Sequence, residues 1–145
     1  MALKVELKPG ERILIGESVI TNSGQRTRLV IEGKKVPIVR EKDILTVEQA
    51  DTPAKRIYLA VLLMYTSRDA RQHHATYFTL VQELVRAAPS TMIHIEIINN
   101  HILTGNMYKA LKQVQQLIEY ERELLSNESG RKNLRKSGKQ NLQPA

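Results

Sequence analysis

The chain has 145 residues, 22 Lys and Arg against 15 Asp and Glu, no cysteine and no tryptophan. The absence of cysteine excludes a disulfide scaffold, a thiol nucleophile and any thiolate metal site. The longest apolar run, Ile57 to Tyr65, is 9 residues, against about 20 for a membrane span, so no membrane crossing is expected. The N-terminus carries no apolar stretch of the signal-peptide kind, and a soluble cytoplasmic protein is predicted. The net charge of +7 is unevenly spread. Residues 1–45 hold 9 basic and 6 acidic residues, residues 46–126 hold 8 of each, and residues 127–145 hold 5 and 1. A neutral middle is thus flanked by two basic ends, and basic surface draws polyanions, nucleic acid first among them.

The first 45 residues read as an antiparallel β-meander of about five short strands. Leu3, Val5 and Leu7 alternate with Lys4, Glu6 and Lys8, the period of a strand with one buried face. Pro9-Gly10 turns the chain. Arg12 to Ile15 and Ser18 to Thr21 are short strands on either side of Gly16, and Asn22-Ser23-Gly24 carries a hairpin signal. Leu29 and Ile31 then share a face opposite Arg26, Arg28 and Glu32. Val36 to Arg40 forms the last strand, placed at a sheet edge because Pro37 has no N–H for a ladder bond.

From residue 46 the period becomes helical, and three to four helices are expected over 46–126. Thr52 caps the first, with Pro53 at its opening position. Because Ile57 to Tyr65 is apolar all round, this helix should be central and buried. A second runs from about Asp69 to Ala88, with Tyr77, Leu80, Val81, Leu84 and Val85 on one stripe, and Pro89-Ser90 ends it. Residues 92–103 fit either a strand, through Ile93, Ile95 and Ile97, or a helix closed by Gly105; the helix is preferred. Asn106 caps a last helix from Met107 to about Leu125, with a seam at Leu111, Val114, Leu117 and Ile118. Residues 127–145 are polar and basic with little to bury, and read as a disordered tail. The fold class is therefore α+β: a β-rich module over 1–45, a helical module over 46–126, and a basic tail over 127–145.

No catalytic constellation emerges. His73 and His74 are adjacent and diverge on a helix, while His94 and His101 lie two turns apart, beyond the i, i+4 spacing that chelates a metal. Glu119, Glu121 and Glu123 read as a solvated face near a helix end. There is no phosphate-cradling glycine loop and no nucleophile elbow. The chain is expected not to be an enzyme, and no cofactor or metal is expected. All six aromatics (Tyr58, Tyr65, Tyr77, Phe78, Tyr108 and Tyr120) fall in the helical part. If the β-module binds RNA, base stacking is therefore not open to it, and cations on phosphates with strand-edge polar groups on bases must serve; otherwise its lysines keep an edge strand soluble. The candidate contacts are Lys4 and Lys8 of the first strand, and Lys34, Lys35 and Arg40 around the last, with Lys42 nearby. At 45 residues the β-module is too small to fold alone, so it must pack on the helices or on a second copy, and a homodimer is expected.

The blocks Leu3-Lys4-Val5-Glu6-Leu7-Lys8-Pro9-Gly10-Glu11-Arg12, Val19-Ile20-Thr21-Asn22, Arg26-Thr27-Arg28-Leu29, Arg40-Glu41-Lys42-Asp43-Ile44-Leu45, Ala50 to Tyr58 and Tyr108-Lys109-Ala110-Leu111-Lys112 resemble the FlbT family of flagellar regulators. The resemblance runs from about Leu3 to Glu121. It implies a cytoplasmic post-transcriptional regulator that associates with the 5′ untranslated region of flagellin mRNA and promotes its degradation. A flagellar regulatory protein is a further partner to consider. Gly10-Glu11, Ile15-Gly16 and Val36 to Glu41 are in addition similar to the carbon storage regulator family of strand-exchanged RNA-binding dimers. That similarity implies a principal RNA contact at Arg40. The first strand departs from the pattern, with Glu6-Leu7-Lys8 where that family has Thr-Arg-Arg. The competing reading is a protein-binding adaptor in flagellar assembly, whose neutral helical module grips a flagellar or translation factor.

Overall fold

The computed structural model describes residues 2–33 and 36–141, with side chains described as far as residue 127. Five antiparallel strands precede four helices: β1 (Ala2–Leu7), β2 (Arg12–Ile15), β3 (Ser18–Thr21), β4 (Thr27–Glu32), β5 (Ile38–Arg40), α1 (Pro53–Thr66), α2 (His74–Ala87), α3 (Met92–Leu103) and α4 (Met107–Asn141). The α+β class read from the sequence is the class observed.

The strands do not pair in chain order. β1 pairs with β4, and a separate sheet runs β3-β2-β5. Asn22 supplies the reason. Its side-chain amide lies 3.1, 3.2 and 2.8 Å from the carbonyls of Leu7, Lys8 and Gln25, and its Oδ1 accepts from the Gly24 N–H at 3.1 Å. Its backbone is held as well, since the Asn22 N–H donates to Glu11 and the Gly10 N–H donates to Asn22. The Asn22-Ser23-Gly24 turn is therefore a corner that carries the chain from one sheet to the other, where β4 meets β1. Between β2 and β3 the tight turn is instead at Gly16, whose φ of +62° suits glycine.

The molecule is built in three layers. Val5 and Leu7 of β1, with Leu29 and Ile31 of β4, pack on Ile13, Ile15 and Ile38 of the second sheet. By strand alternation, Leu14 and Val39 face the other way and join the core of the helices. β2 and β5 are thus covered on both sides, whereas β3 is exposed along its whole length. β5 is its edge, as the proline implied.

α1 is the centre of the helical layer and packs against both α2 and α4. The Thr52 hydroxyl accepts from the Lys55 N–H at 3.2 Å, as an N-cap should. Ala54, Ile57, Tyr58, Ala60, Val61, Leu62 and Met64 are all buried. The Glu121 carboxylate of α4 also accepts from the Ala54 N–H at 2.9 Å. It corrects the reading of Glu121 as solvated: the residue is buried, against the positive end of a neighbouring helix.

The segment from Asp69 divides into a 3-10 turn, Ala70–His73, and α2, which starts at His74. Residues 92–103 are helical. α3 ends in a Schellman motif: the Gly105 N–H donates to Ile102, the Asn106 N–H donates to His101, and Gly105 has φ +78°. The side-chain amide of Asn106 donates to the Thr104 hydroxyl, and its carbonyl starts the α4 ladder. The backbone of α4 continues to Asn141, past the boundary expected near Leu125. The side chains expected to form the disordered tail beyond residue 127 lie outside the described residues.

Candidate nucleic-acid interface

β5 delivers Arg40 to the end of the sheet, and the 3-10 turn Glu41–Asp43 follows at once. Glu41 folds back onto β2, accepting from the Arg12 N–H at 3.0 Å and from Arg12 Nε at 3.2 Å. These two hydrogen bonds, the backbone one first, hold the Glu41 carboxyl below its ordinary range. With Glu41 so engaged, Arg40 and Lys42 are exposed and form no ion pair among the described residues.

Asp43 anchors the turn to the helices. The Tyr58 hydroxyl donates to its carbonyl at 2.6 Å, and Gln115 Nε2 donates to Oδ1 at 3.1 Å. Lys112 Nζ stands 3.5 Å from Oδ2. Lys112 also lies over the Tyr108 ring, 5.1 Å from its centroid. The Tyr108 and Tyr65 rings are 6.4 Å apart and tilted at 57°. The Tyr65 hydroxyl in turn accepts from the Ile38 N–H at 3.3 Å, joining the end of α1 to the free edge of β5.

These residues surround an open cleft of about 410 Å³ between the sheets and the helices. Leu3, Ile38, Arg40, Lys42 and Asp43 line it from the strand side, and Tyr65, Tyr108 and Lys112 from the helical side. Three cations face one carboxylate, so the opening favours an anion.

The sequence-derived candidates do not all meet here. Arg40 lines the cleft. Lys4 stands opposite Val30 on the outer face of the β1-β4 pair, and β1 reaches the cleft through Leu3 instead. Lys8 follows the far end of β1, where its N–H donates to Glu11. Lys34 and Lys35 lie outside the described residues. A single patch uniting the first and last strands requires those strands to be neighbours, but β1 pairs with β4 and β5 with β2. The strands themselves carry no aromatic, as expected, but Tyr65 and Tyr108 come from helices to line the same cleft as Arg40. No local spacing announces this, because the helices bring them back across long stretches of chain.

A second opening, of about 430 Å³, lies between α2 and α3 and is lined by Val81, Val85, Met92 and Ile95, with Arg86. Among the described residues no group of three His, Asp or Glu side chains is placed to hold a metal. Likewise, none of the described helices is long and apolar enough to cross a membrane.

Fold and cleft together define a small α+β protein that offers one basic, tyrosine-lined opening where its sheet meets its helices. The chain belongs to the FlbT family: the model described as Flagellar protein FlbT matches residues 3–125. It is 60% identical over 124 residues to the "Probable flagellum biosynthesis repressor protein FlbT 1" of Bradyrhizobium diazoefficiens, covering 86% of this chain and 85% of that one. Identity is 55% over 126 residues to a protein of Rhodopseudomonas palustris (strain TIE-1) named "Probable flagellum biosynthesis repressor protein FlbT", covering 87% and 99%. It is 35% over 132 residues to the "Flagellum biosynthesis repressor protein FlbT" of Caulobacter vibrioides (strain ATCC 19089), covering 89% and 93%. No solved structure matches the chain.

Proposed function

We propose that this protein is a cytoplasmic repressor of flagellum biosynthesis that acts after transcription, by binding the 5′ untranslated region of flagellin mRNA. Repression is the role its relatives are named for. The observation that carries the RNA reading is the convergence of Arg40, Lys42 and Lys112 on one opening, with Arg40 and Lys42 free of ion pairs among the described residues. Arg40 is also the position implied by the resemblance to the carbon storage regulator pattern. Binding a leader blocks ribosome loading and exposes the message to decay, so degradation follows without a cutting site on this chain.

In a gel-shift titration with a flagellin leader, Arg40→Ala should weaken binding by about 1–3 kcal/mol, the range of a good base contact. Unchanged affinity in a folded variant removes Arg40 from the interface. Direct phosphate contacts further require log affinity to fall linearly with log salt.

A protein-adaptor reading has its own observation. Phe78, Met92, Ile93 and Ile97 on α2 and α3 are exposed apolar residues, Ile93 at 69%. A leader affinity that stays flat across the salt series favours that reading. Self-association as a homodimer belongs to the same proposal, and sedimentation of the full chain tests it.

A further inference from the structure

We propose that the cleft between the end of β5 and the start of α4 holds one unpaired nucleotide of a single-stranded RNA. Its base would stack on Tyr108, and its phosphate would lie against Arg40 and Lys112. The proposal rests on the RNA-binding reading and adds the form of RNA and the residues that select it.

Three properties of the cleft lead there. First, it combines two chemistries that only a nucleotide needs together. Arg40, Lys42 and Lys112 supply positive charge, while Tyr108, half exposed on the first turn of α4, supplies a flat apolar ring. An acidic peptide accounts for the cations but makes no use of the exposed part of the ring. Second, the volume of about 410 Å³ lies in the ~300–1,000 Å³ range of small-ligand sites. It is enough for one splayed nucleotide, whereas a base held in a duplex cannot present its face to a ring. Third, the walls are fixed in advance. The turn carrying Arg40 is tied to β2 through Glu41 and to α1 and α4 through Asp43. Tyr65 is likewise bonded to the Ile38 N–H. Lys112 is the adjustable member. Its contact with Asp43 is long, at 3.5 Å, and its side chain is 41% exposed, so it can swing to a phosphate.

The test is a titration of the full chain with a labelled single-stranded oligoribonucleotide of about 12 residues from a flagellin leader, a length within the known site sizes of single-strand binders. The same strand in a duplex and a nucleoside monophosphate are run beside it. The single strand should bind more tightly than the duplex, and the monophosphate should compete poorly. Tyr108→Leu should weaken single-strand binding by about 5- to 150-fold, the equivalent of one lost stack, while Tyr108→Phe should keep it. Photo-crosslinking of the unaltered protein should label a peptide containing Tyr108, a readout that does not depend on any variant folding.

If the single strand binds but Tyr108→Leu leaves its affinity unchanged, or the crosslinks fall elsewhere, the stacking cleft is wrong and the RNA reading stands. If the duplex binds as tightly as the single strand, the unpaired base is wrong. Equal affinity for the monophosphate makes the cleft a free-nucleotide site and overturns the RNA part. If neither RNA binds at all, the RNA reading falls, and this inference with it.

Discussion

Tyr58 shows how much rests on single side chains where the helical core meets the basic edge. Its ring is buried with the α1 core, while its hydroxyl reaches out to the Asp43 carbonyl. Burial pushes the phenol up to about 12, with the Asp43 charge adding to the rise and the Gln115 hydrogen bond opposing it. Tyr77, buried on α2 and donating to Asn99 at 2.6 Å, is pushed up further by burial alone. A phenol whose pKa is higher folded than unfolded gives stability that is complete below the unfolded value of 10.0 and lost as pH rises towards the folded one. Stability should therefore hold to about pH 10 and then fall, by no more than about 1.4 kcal/mol per pH unit for each tyrosine. Denaturant midpoints taken across this alkaline range should fall less steeply in Tyr58→Phe than in the parent. Parallel curves for the two proteins would remove Tyr58 as a source of the loss. Glu121 is a second residue of this kind, and its place was legible: it stands four residues past Leu117 on the Leu111, Val114 and Leu117 seam, so the helix period turns it to α1 and leaves Glu119 and Glu123 exposed.

At the scale of elements, what the sequence revealed depended on how local the determining contacts are. α1 was legible because its signals are contiguous: a threonine cap, a proline at the first turn, then an unbroken apolar run. The Gly105 stop and the edge position of β5 were legible for the same reason. Strand pairing was not, since it hangs on Asn22, whose side chain bonds carbonyls 14 and 15 residues away. A hairpin and a corner look alike from Asn-Ser-Gly alone. Asn22→Ala should cost about 1–3 kcal/mol, because the Leu7 carbonyl it leaves is partly buried. Urea unfolding should show a lower midpoint at an unchanged slope, and an unaltered midpoint would mean that the corner is held by backbone alone. The candidate site divides in the same way. Arg40 was visible from its strand, whereas Tyr65, Tyr108 and Lys112 join it only through the packing of α1 and α4 on the sheet. A count that placed every aromatic in the helical half was correct, and it could not foresee that two of those rings line the cleft at the sheet's end.

The molecule as a whole is one stack of layers, and its middle layer belongs to both cores. Ile13 and Ile38 look to the β1-β4 pair, Leu14 and Val39 to the helices. A fragment ending at residue 45 therefore exposes Leu14 and Val39 and loses the Tyr58 and Tyr65 hydroxyls. It should show no cooperative thermal transition, whereas a sharp melt of its own would establish the β-module as independent. The bond between the Ile38 amide and Tyr65 also governs how the sheet can grow. An edge strand is a template on which another chain can extend the ladder. Pro37 precedes β5 and turns its carbonyl inward to the Gly16 N–H, so the outward donors of the strand are those of Ile38 and Arg40, and the first is occupied by a phenol from α1. Sheet extension past Ile38 must first displace the half-buried Tyr65. The free edges of β3 and β4 carry no such plug among the described contacts, whereas the end of β1 is held by the Asn22 amide, so a strand-exchanged assembly has the first two borders open to it. On the proposed RNA reading, the Arg40 border is left to recognition by side chains.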